Sequence, residues 1–353
     1  MSAGEMPARP RPQSIAEGRA TIEDHLEKVL RGVGPLAAYD QPTVESLGLT
    51  LHENVLANED LPRFDTSDID GYAVNSGDIA LASVTDNVVL PVVSEIIAGS
   101  GKPYAISPGS CVKIMAGAPI PRGADAVVPN GFVAGGRNQA SFAAPISHAY
   151  GVRRRGEDRE SGQVALAEGA LLGPREIGLL AALGRERIKA RPRPRVVLLS
   201  TGRELREPGK FLDPDSVADA NTSMLAAAVR SLGAIAYRVG VVDDDPRTFK
   251  RVLSDQLVRA DLVVTTGGIG EGERAMVKRT LSEIGEVEFA DVALLHAEHQ
   301  GFGRVFEEQT PVITLPGDPV AAYTSFELFV VPAIRRMMGI VPYRRPQVHA
   351  VLT

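Results

Sequence analysis

The chain has 353 residues, 44% of them hydrophobic, and a formal net charge of −6. This length suits two or three domains with a substantial core, and the negative charge disfavours a nucleic-acid-binding protein. The single cysteine, Cys111, excludes a disulfide framework and a thiolate cluster for zinc or iron–sulfur. Neither a signal peptide nor a membrane span is predicted.

The first predicted elements are a tail, one helix and a β-rich stretch. About the first 13 residues are rich in Pro and Arg, which predicts a disordered tail. The segment TIEDHLEKVLRGV places its apolar residues on one helical face, and Thr21 with Asp24 resembles an Asp-containing capping box. From about residue 45 to 150, apolar runs such as DNVVLPVVSEIIAG, SCVKIMAG and DAVVPNGFVAGG alternate with turn residues. This part is predicted to be mostly β.

Strands alternate with helices in the second half of the chain. The predicted strands are RVVLLSTG, AIAYRVGVV, DLVVTTGG and PVITLPGDP. The predicted helices are NTSMLAAAVRSLG, with Asn221 or Thr222 as N-cap and Gly233 as stop, DPRTFKRVLSDQLVRA, with Pro246 in its first turn, ERAMVKRTLSEIG and VAAYTSFELFVVPAIRRMMG. This alternation predicts a parallel sheet with helices on both faces, over about residues 190–339.

Three of these strands end in unusual turns, LLSTGRELREPG, VVTTGGIGEG and ITLPGDPV. Ligands bind outside the carboxyl ends of parallel strands, so we expect the three turns to line one rim. Gly267, Gly268, Gly270 and Gly272 permit positive φ, and the helix predicted from about residue 273 points its positive end at this loop. The loop suits a phosphate, but it has neither Walker nor dinucleotide spacing, so a plain tight turn is equally compatible.

Two acidic segments are further candidates for chemistry. DTSDIDGYAV carries Asp65, Asp68 and Asp70, which could bind a hard cation or polarise a water, or could form a solvated acidic turn. RRRGEDRE, at 153–160, is typical of a solvated loop. Its arginines could instead hold a phosphate or another oxyanion while Asp158 turns into a site.

A histidine pair is the last candidate taken from the residues alone. His296 and His299 in LLHAEHQGFG flank Glu298. Two histidines and one carboxylate can form a transition-metal triad, and two surface histidines with no common ligand are the alternative.

Seven segments in collinear order resemble the molybdopterin molybdenumtransferase family, the family of MoeA and the gephyrin E domain. They are DIDGYAV, VKIMAGAPIPRGADAVV, RRRGEDRESGQVALAEGALLGPREIGLLAALG, PRVVLLSTGRELREPG, DANTSMLAAAVRSLGA, VVTTGGIGEGERAMVK and ITLPGDPVAAYTSFELFVVPAIRRMMG. The likeness runs from about residue 15 to residue 345.

The resemblance implies a multi-domain protein of α/β and mainly-β parts. A doubly wound parallel-sheet domain, similar to molybdopterin-binding domains, would follow an inserted mostly β domain and a discontinuous elongated linker domain. The implied boundaries, to within about three residues, are 1–13 for the tail, 14–45 with 150–189 for the elongated domain, 46–149 for the inserted domain, 190–339 for the α/β domain and 340–353 for the start of a truncated C-terminal domain.

The resemblance also implies an activity. The family takes adenylylated molybdopterin and molybdate, and with Mg²⁺ it releases AMP and inserts molybdenum into the dithiolene. It implies a cytoplasmic homodimer that works after a molybdopterin adenylyltransferase, with no membrane or nucleic-acid partner.

By position in these motifs, Asp70, Asp158 and Glu204 match the family's catalytic and metal-binding acids. Such carboxylates hold a divalent cation against a pyrophosphate. The substrate-binding residues implied in the same way are Arg155, Thr201, Gly202, Asn221, Gly267, Gly268, Gly270, Gly272, Lys278, His296, His299, Pro316, Gly317 and Asp318.

The chain departs from the family pattern at several of these positions. Ala116 stands where threonine is usual, Ala275 replaces an acid, and the segment HAEHQ replaces one that supplies lysines. Asp318 replaces asparagine. A neutral histidine attracts an oxyanion less than lysine does, and an aspartate repels one. The sequence is therefore compatible with a working transferase, and also with a non-catalytic or weakened paralogue that binds molybdopterin or acts as a dimeric scaffold.

Overall fold

The structure is a computed structural model that describes residues 19–99, 104–272 and 275–346. The predicted tail lies outside these residues, and so do residues 347–353 of the predicted C-terminal segment. None of the helices in the described part of the chain has the length and apolar character that a membrane crossing requires.

The chain divides into two compact units. The first, called here the α/β unit, comprises Met1–Glu53, Glu168–Ile177 and Arg187–Thr353. The second, the β unit, comprises Asn54–Ala167 and Gly178–Glu186. The finer predicted boundaries, with a separate elongated domain, stay a prediction.

The described residues form seven α-helices, twenty strands, three short 3-10 helices and one π-helical segment. The helices are α1 (Ile22–Gly32), α2 (Pro174–Ala182), α3 (Asn221–Ser231), α4 (Pro246–Leu257), α5 (Met276–Ile284), α6 (Pro319–Ser325) and α7 (Val331–Met338). The first strands are β1 (Tyr39–Pro42), β2 (Val55–Leu56), β3 (Thr66–Ser67), β4 (Gly71–Val74), β5 (Val88–Ile96), β6 (Cys111–Ile114), β7 (Ala126–Pro129), β8 (Val133–Gly135), β9 (Gln139–Phe142), β10 (Val152–Arg153) and β11 (Val164–Leu166). The remaining strands are β12 (Arg187–Ala190), β13 (Arg195–Thr201), β14 (Leu205–Arg206), β15 (Val217–Ala218), β16 (Ile235–Val242), β17 (Leu262–Thr266), β18 (Gly285–Asp291), β19 (His299–Val305) and β20 (Thr310–Leu315).

The α/β unit is built on a six-stranded sheet in the order β16-β13-β17-β20-β19-β18. β13 pairs in parallel with β16 and β17, and β17 pairs in parallel with β20. β19 runs antiparallel to both β20 and β18. The predicted parallel sheet is therefore confirmed for four strands, whereas the antiparallel pair at one edge was not predicted.

Glycines explain why the pair β18–β19 carries no clear strand pattern, because glycine has no side chain to pack and weakens strand propensity. A Cβ on Gly285 would lie 2.1 Å from the Arg304 carbonyl oxygen, and one on Gly303 would lie 2.0 Å from the Glu286 carbonyl oxygen. These glycines allow the two strands to approach closely. Because they carry no side chain, they also interrupt the alternating pattern by which a strand is recognised in a sequence.

Helices cover both faces of this sheet, as predicted. Successive residues of a strand point to opposite faces, and in β13 Val196 packs in one core with residues of α3 and α7. Val197 packs in a second core with residues of α4 and α5. Each fully buried side chain of this kind contributes roughly 1.5–3 kcal/mol to stability.

The helix starts show which capping predictions hold. The capping box of Thr21 and Asp24 is confirmed, with both reciprocal hydrogen bonds present. The prediction of Asn221 or Thr222 as N-cap of α3 is wrong, because Asn221 is already helical and the cap position is Ala220. The Asp219 carboxylate, one residue earlier, accepts the Thr222 N–H at 3.2 Å and takes the capping role.

The long helix predicted at the end of the α/β unit is interrupted. The π-helical segment Phe326–Val330 separates α6 from α7, and Gly339 ends α7 with a φ of 74°. A π segment inserts an extra residue into the helical ladder, so the apolar residues before and after it both face the core although their spacing departs from 3.6.

The β unit contains a second six-stranded sheet in the order β7-β4-β6-β5-β9-β8. All its pairs are antiparallel except β5 with β6. Its core includes the edge-to-face pair of Tyr72 and Phe142, whose ring centroids are 6.3 Å apart. The prediction that this part of the chain is mostly β is confirmed.

Buried His25 makes the stability of the α/β unit depend on pH. Its ring packs edge-on against Phe329, with centroids 4.7 Å apart, and its Nε2 is buried without a hydrogen-bond partner among the described residues. Burial first, and then the charge of Lys28, lower the pKa of His25 to about 4. The folded chain therefore keeps the ring neutral at pH 5, where the unfolded chain binds a proton.

Stability should fall as the pH drops below the ordinary histidine value of about 6.5. Between pH 7.5 and pH 5.0 we expect a loss of about 2 kcal/mol from this residue alone. The measurement is urea unfolding of the wild type and the His25→Phe variant at both pH values. Equal losses in the two proteins would contradict the assignment.

Candidate functional site

A cavity of about 680 Å³ opens in the α/β unit at the carboxyl ends of β13, β17 and β20. The three turns that follow these strands line one rim, as the sequence predicts. Ten of the fourteen implied substrate-binding residues line it, together with Glu204. These ten are Thr201, Gly202, Asn221, Gly267, Gly268, Gly270, His296, His299, Pro316 and Gly317.

The glycine loop packs against the end of β13 and against α5 so closely that only glycine fits. Gly267 and Gly268 have φ of 83° and 68°, in the left-handed region that favours glycine. A Cβ on Gly267 would lie 2.5 Å from the Thr201 carbonyl oxygen, and one on Gly268 would lie 2.4 Å from Cγ2 of Val277. The loop is therefore fixed in shape, with its main chain at the cavity wall.

Asn221 joins two of the three turns from beneath. Its side chain is 4% exposed, and Nδ2 donates to the Gly317 carbonyl at 2.8 Å and to Oγ1 of Thr266 at 3.4 Å. Oδ1 of Asn221 and Oγ1 of Thr201 are buried and have no partner among the described residues. Because buried polar atoms are nearly always paired in proteins, these two atoms offer a ligand an acceptor and a hydroxyl.

Sequence reasoning missed Asp219, which supports this arrangement from below. Asp219 is 1% exposed and accepts from Oγ of Ser200 at 3.0 Å. The hydroxyls of Ser200 and Thr266 are 2.8 Å apart, which continues the network to Asn221. The only signal in the sequence was that Asp219 lies two residues before Asn221, at the start of a predicted helix. An aspartate at such a position is ordinarily explained as a helix cap.

The charged residues at the cavity come from separate loops. Glu204 is exposed, and its carboxylate lies over Gly202, where a Cβ would be 2.7 Å from Oε1. Asp244, which no sequence motif indicates, lines the cavity and pairs with Arg203 at 3.5 Å. Because Arg203 is almost fully exposed, this ion pair is weak and can open toward a ligand.

The two histidines of HAEHQ have different partners. The His296 main chain has a φ of 62°, and its N–H donates to Oε1 of Glu298 at 3.3 Å. Nδ1 of His299 lies 2.7 Å from Oδ1 of Asp291. Within residues 19–99, 104–272 and 275–346, no three His, Cys, Asp or Glu side chains gather as metal ligands. The hypothesis that these two histidines and Glu298 form a metal triad is therefore wrong.

Three implied substrate-binding residues of the α/β unit are not part of the lining. The Asp318 carboxylate caps α6 by accepting the N–H groups of Val320 and Ala321 at 3.0 and 2.9 Å. Nζ of Lys278 lies 5.5 Å from the centroid of the Phe289 ring, and Gly272 is at the far end of the loop with a φ of 62°. Their contact with substrate stays a prediction.

In the β unit, strand pairing brings the acidic turn and the arginine segment together. β3 pairs with β10, so Thr66 is opposite Arg153. The Arg155 N–H donates to Oδ1 of Asp65 at 2.8 Å, and its side chain pairs with Asp60. The Ser161 N–H, and after it the Arg155 side chain, hold the pKa of Asp60 below its ordinary value. Asp60 and Asp65 thus have structural roles.

The two implied catalytic acids of the β unit are exposed and partly engaged. Oδ1 of Asp70 accepts the Ala116 N–H at 2.7 Å. Oδ2 of Asp158 accepts from Nη2 of Arg153 at 2.6 Å, and this hydrogen bond and the charge of Asp158 raise the pKa of Arg153. Each carboxylate keeps one oxygen that has no hydrogen-bond partner in the described chain. Carboxylate oxygens are the donors that Mg²⁺ prefers, and Mg²⁺ needs only one or two of them beside substrate phosphates.

Comparisons with known proteins fit this geometry. The profile of the MoeA N-terminal region (domain I and II) matches residues 20–184, and that of a probable molybdopterin binding domain matches residues 197–336. Molybdopterin molybdenumtransferase 2 of Mycobacterium tuberculosis H37Rv is 37% identical over 342 residues, which are 94% of this chain and 83% of that protein. The chain belongs to the MoeA family.

Other members of the MoeA family agree in sequence and in structure. Molybdopterin molybdenumtransferase of Staphylococcus aureus N315 is 30% identical over 322 residues, 90% of this chain and 76% of that protein. A crystal structure of the molybdopterin biosynthesis MoeA protein of Pyrococcus horikoshii has a TM-score of 0.76 and 30% identity, covering 91% of this chain and 80% of its own.

The structure shows how the chain accommodates two residues that differ from the family pattern, Ala116 and Asp318. Asp70 contacts position 116 through the main-chain N–H, so alanine at that position leaves the hydrogen bond in place. Asp318 faces helix N–H donors, which offset part of its negative charge. Neither change by itself removes a described contact of the cavity.

Proposed function

We propose that this chain is a molybdopterin molybdenumtransferase of molybdenum cofactor biosynthesis. It takes adenylylated molybdopterin and molybdate, inserts molybdenum into the dithiolene and releases AMP. The observation that carries the proposal is the cavity at the strand ends. Its tight glycine loop, and its two buried polar atoms that have no partner among the described residues, lie in a chain that aligns with a named molybdenumtransferase over 94% of its length.

The glycine loop and Asn221 would hold the phosphorylated pterin, because exposed main-chain N–H groups bind phosphate oxygens. Asp70, Asp158 and Glu204 would hold Mg²⁺ together with oxygens of the substrate pyrophosphate. Mg²⁺ held there would neutralise charge on those oxygens. Asp70 orients water: the water oxygen forms a new P–O bond, the pyrophosphate P–O bond breaks, and AMP leaves while a proton passes to solvent.

We also propose a cytoplasmic homodimer supplied by a molybdopterin adenylyltransferase. Asp70 and Asp158 belong to the β unit, whereas Glu204 and the cavity belong to the α/β unit. A site shared by two subunits would unite the three acids. The division of each subunit into an inserted β domain, a discontinuous elongated domain and an α/β domain is part of this proposal.

The test is an assay of AMP release and of cofactor formation. Purified protein is mixed with adenylylated molybdopterin, molybdate and Mg²⁺, and AMP is quantified by chromatography. We expect AMP and molybdenum cofactor in equal amounts. No AMP above the level without protein, across pH 6–9, would refute the proposal.

A second candidate is a weakened or non-catalytic paralogue that binds molybdopterin or serves as a dimeric scaffold. One observation favours it: the described lining of the cavity contains three carboxylates and no lysine. Pterin binding without AMP release in the same assay would identify this role.

A further inference from the structure

The pair Asn130–Gly131 is a chemically reactive sequence that the proposed function does not use. Asparagine is among the thermolabile residues, and of the seven asparagines in the chain only Asn130 is followed by glycine. Glycine has no Cβ, so its main-chain nitrogen is unshielded. That nitrogen can attack the carbonyl carbon of the preceding asparagine side chain, which is the first step of deamidation. Whether this step occurs in a folded chain depends on exposure, on hydrogen bonding and on the freedom of the main chain.

All three conditions are met at Asn130. The residue begins an exposed one-turn 3-10 helix, Asn130–Phe132, which joins β7 to β8 and buries none of its residues. No side chain caps this turn, and the Asn130 carboxamide makes no hydrogen bond with a described residue. Because 3-10 hydrogen bonds have poor geometry and no packing holds the turn, it opens at little cost in free energy.

The fold does not require glycine at position 131. The φ of Gly131 lies outside the left-handed region, and a Cβ there would meet no atom of the described residues within 4 Å. Gly71, on the neighbouring strand β4, is different, because a Cβ there would lie 2.1 Å from the Val128 carbonyl oxygen. Gly131 therefore exposes a reactive nitrogen without contributing to packing, and alanine can replace it without strain.

Asn75, which precedes Ser76, is protected by comparison. Its Oδ1 accepts the Gly77 N–H at 3.0 Å, and its Nδ2 donates to the Gly123 carbonyl at 3.3 Å. The Ser76 N–H, which belongs to the nitrogen that would attack, donates to Oδ1 of Asp125 at 2.6 Å. Both reacting groups are held, so Asn75 serves as an internal control.

Asn130 lies directly beside the implied catalytic acid Asp70. β4 and β7 pair antiparallel with Gly71 opposite Pro129, so Asn130 comes next to Asp70 where the pairing ends. The Asn130 N–H donates to the Asp70 carbonyl at 3.3 Å, and the Asn130 carbonyl accepts the Val133 N–H. A change in the main chain at Asn130 is therefore transmitted to Asp70.

We propose that Asn130 is a site of spontaneous deamidation, and that the modification displaces Asp70. The Gly131 nitrogen forms a bond to Cγ of Asn130 and gives up its proton, while the side-chain amide leaves as ammonia and a succinimide ring closes. Water then opens the ring. Attack at Cγ gives aspartate, and attack at the main-chain carbonyl gives isoaspartate. In isoaspartate the main chain runs through Cβ and Cγ and is longer by one C–C bond of about 1.5 Å.

Isoaspartate changes both position and charge beside Asp70. The carbonyl that accepts the Val133 N–H leaves the main chain and becomes a free carboxylate. A misplacement of about 1 Å at a catalytic group can slow a reaction about a hundredfold, so AMP release should fall in proportion to the isoaspartate content. Only this loss of activity rests on the proposed function, because deamidation itself needs no substrate.

The experiment is prolonged incubation of the purified full chain at pH 8.0, followed by peptide mass spectrometry and by enzymatic methylation of isoaspartate. We expect the peptide that contains Asn130 to gain about 1 Da, as OH replaces NH₂, and to accept methyl groups. The peptide that contains Asn75 should stay unchanged. AMP release is measured on the same samples before and after incubation.

Two variants assign the effect. Gly131→Ala should strongly reduce both signals, keep the wild-type urea midpoint and retain its AMP release during incubation. Asn130→Asp carries the added charge without the longer main chain, so the freshly purified variant should release AMP at nearly the wild-type rate. A large loss in fresh Asn130→Asp would show that charge, and not displacement, acts on Asp70, and would overturn that part of the proposal.

The proposal is overturned if the Asn130 peptide keeps its mass, or if Gly131→Ala gains mass as fast as the wild type. Methylation that maps to Asp70–Gly71 without a gain in mass would overturn it as well. Undiminished AMP release from chains with isoaspartate at position 130 would refute the effect on Asp70. If fresh protein releases no AMP, the proposed function fails, and mass and methylation still decide whether Asn130 is the modified site.

Discussion

Replacing Asp70 with asparagine is expected to lower AMP release about a hundredfold, the usual effect of losing one group that orients water or holds a catalytic cation. The fold should be unaffected, because Asp70 is exposed and asparagine keeps the oxygen that accepts the Ala116 N–H. The measurement is initial AMP release at saturating Mg²⁺, with the unfolding midpoint as a check on folding.

The matched control is Asp68→Asn, which removes a carboxylate from the same turn. Asp68 is exposed, and its described hydrogen bond to Gly151 is made by the main chain. We expect near wild-type activity in this variant. Similar losses in both would attribute the effect to the general charge of the turn, and an Asp70→Asn protein with more than a tenth of wild-type activity would refute the catalytic role.

The second large effect is expected in the glycine loop, where Gly267→Ala should destabilise the α/β unit by about 2–4 kcal/mol. Alanine is strained at a φ of 83°, and its Cβ would lie 2.5 Å from the Thr201 carbonyl oxygen. That oxygen belongs to the main chain of β13, so it cannot rotate away. The measurement is the urea midpoint of the unfolding transition.

The variant Gly272→Ala separates the effect of backbone strain at positive φ from the effect of contact with β13. Gly272 has a φ of 62°, so alanine is strained there too, but its Cβ would meet no atom of the described residues within 4 Å. We expect a loss of only about 1 kcal/mol. If the two variants lose the same stability, contact with β13 is not what requires glycine at 267.

The sequence predicted the features that follow from local periodicity and from turn chemistry. Apolar runs separated by helical patterns gave the parallel strands, and the turns after β13, β17 and β20 gave the rim of the cavity. The glycine loop was predicted to line that rim. Its close contact with Thr201 follows from chain packing and is visible only in the structure.

Features that depend on distant contacts were missed. Asp219 is buried and accepts a hydrogen bond from Ser200, a residue of β13, so its neighbours in sequence give no sign of this role. The partner of His299 is Asp291, on the adjacent strand β18. The glycines of β18 and β19 weaken the strand pattern, so the sequence did not predict that these two strands pair. The predicted metal triad of His296, Glu298 and His299 was based on spacing alone. In the structure the His296 N–H bonds to Glu298, whereas the His299 ring bonds to Asp291.

The packing of α1 has a consequence for synthesis of the chain. Leu26 packs with Val292 and Phe329, and Val29 shares a core with Phe302. At about 5–20 residues per second, roughly 15–60 s pass between translation of α1 and that of these partners. The β unit, whose segments all lie between Asn54 and Glu186, can fold during this interval. Among the described helices, α1 is thus translated first but is one of the last to pack, and until then its apolar stripe is exposed to chaperones.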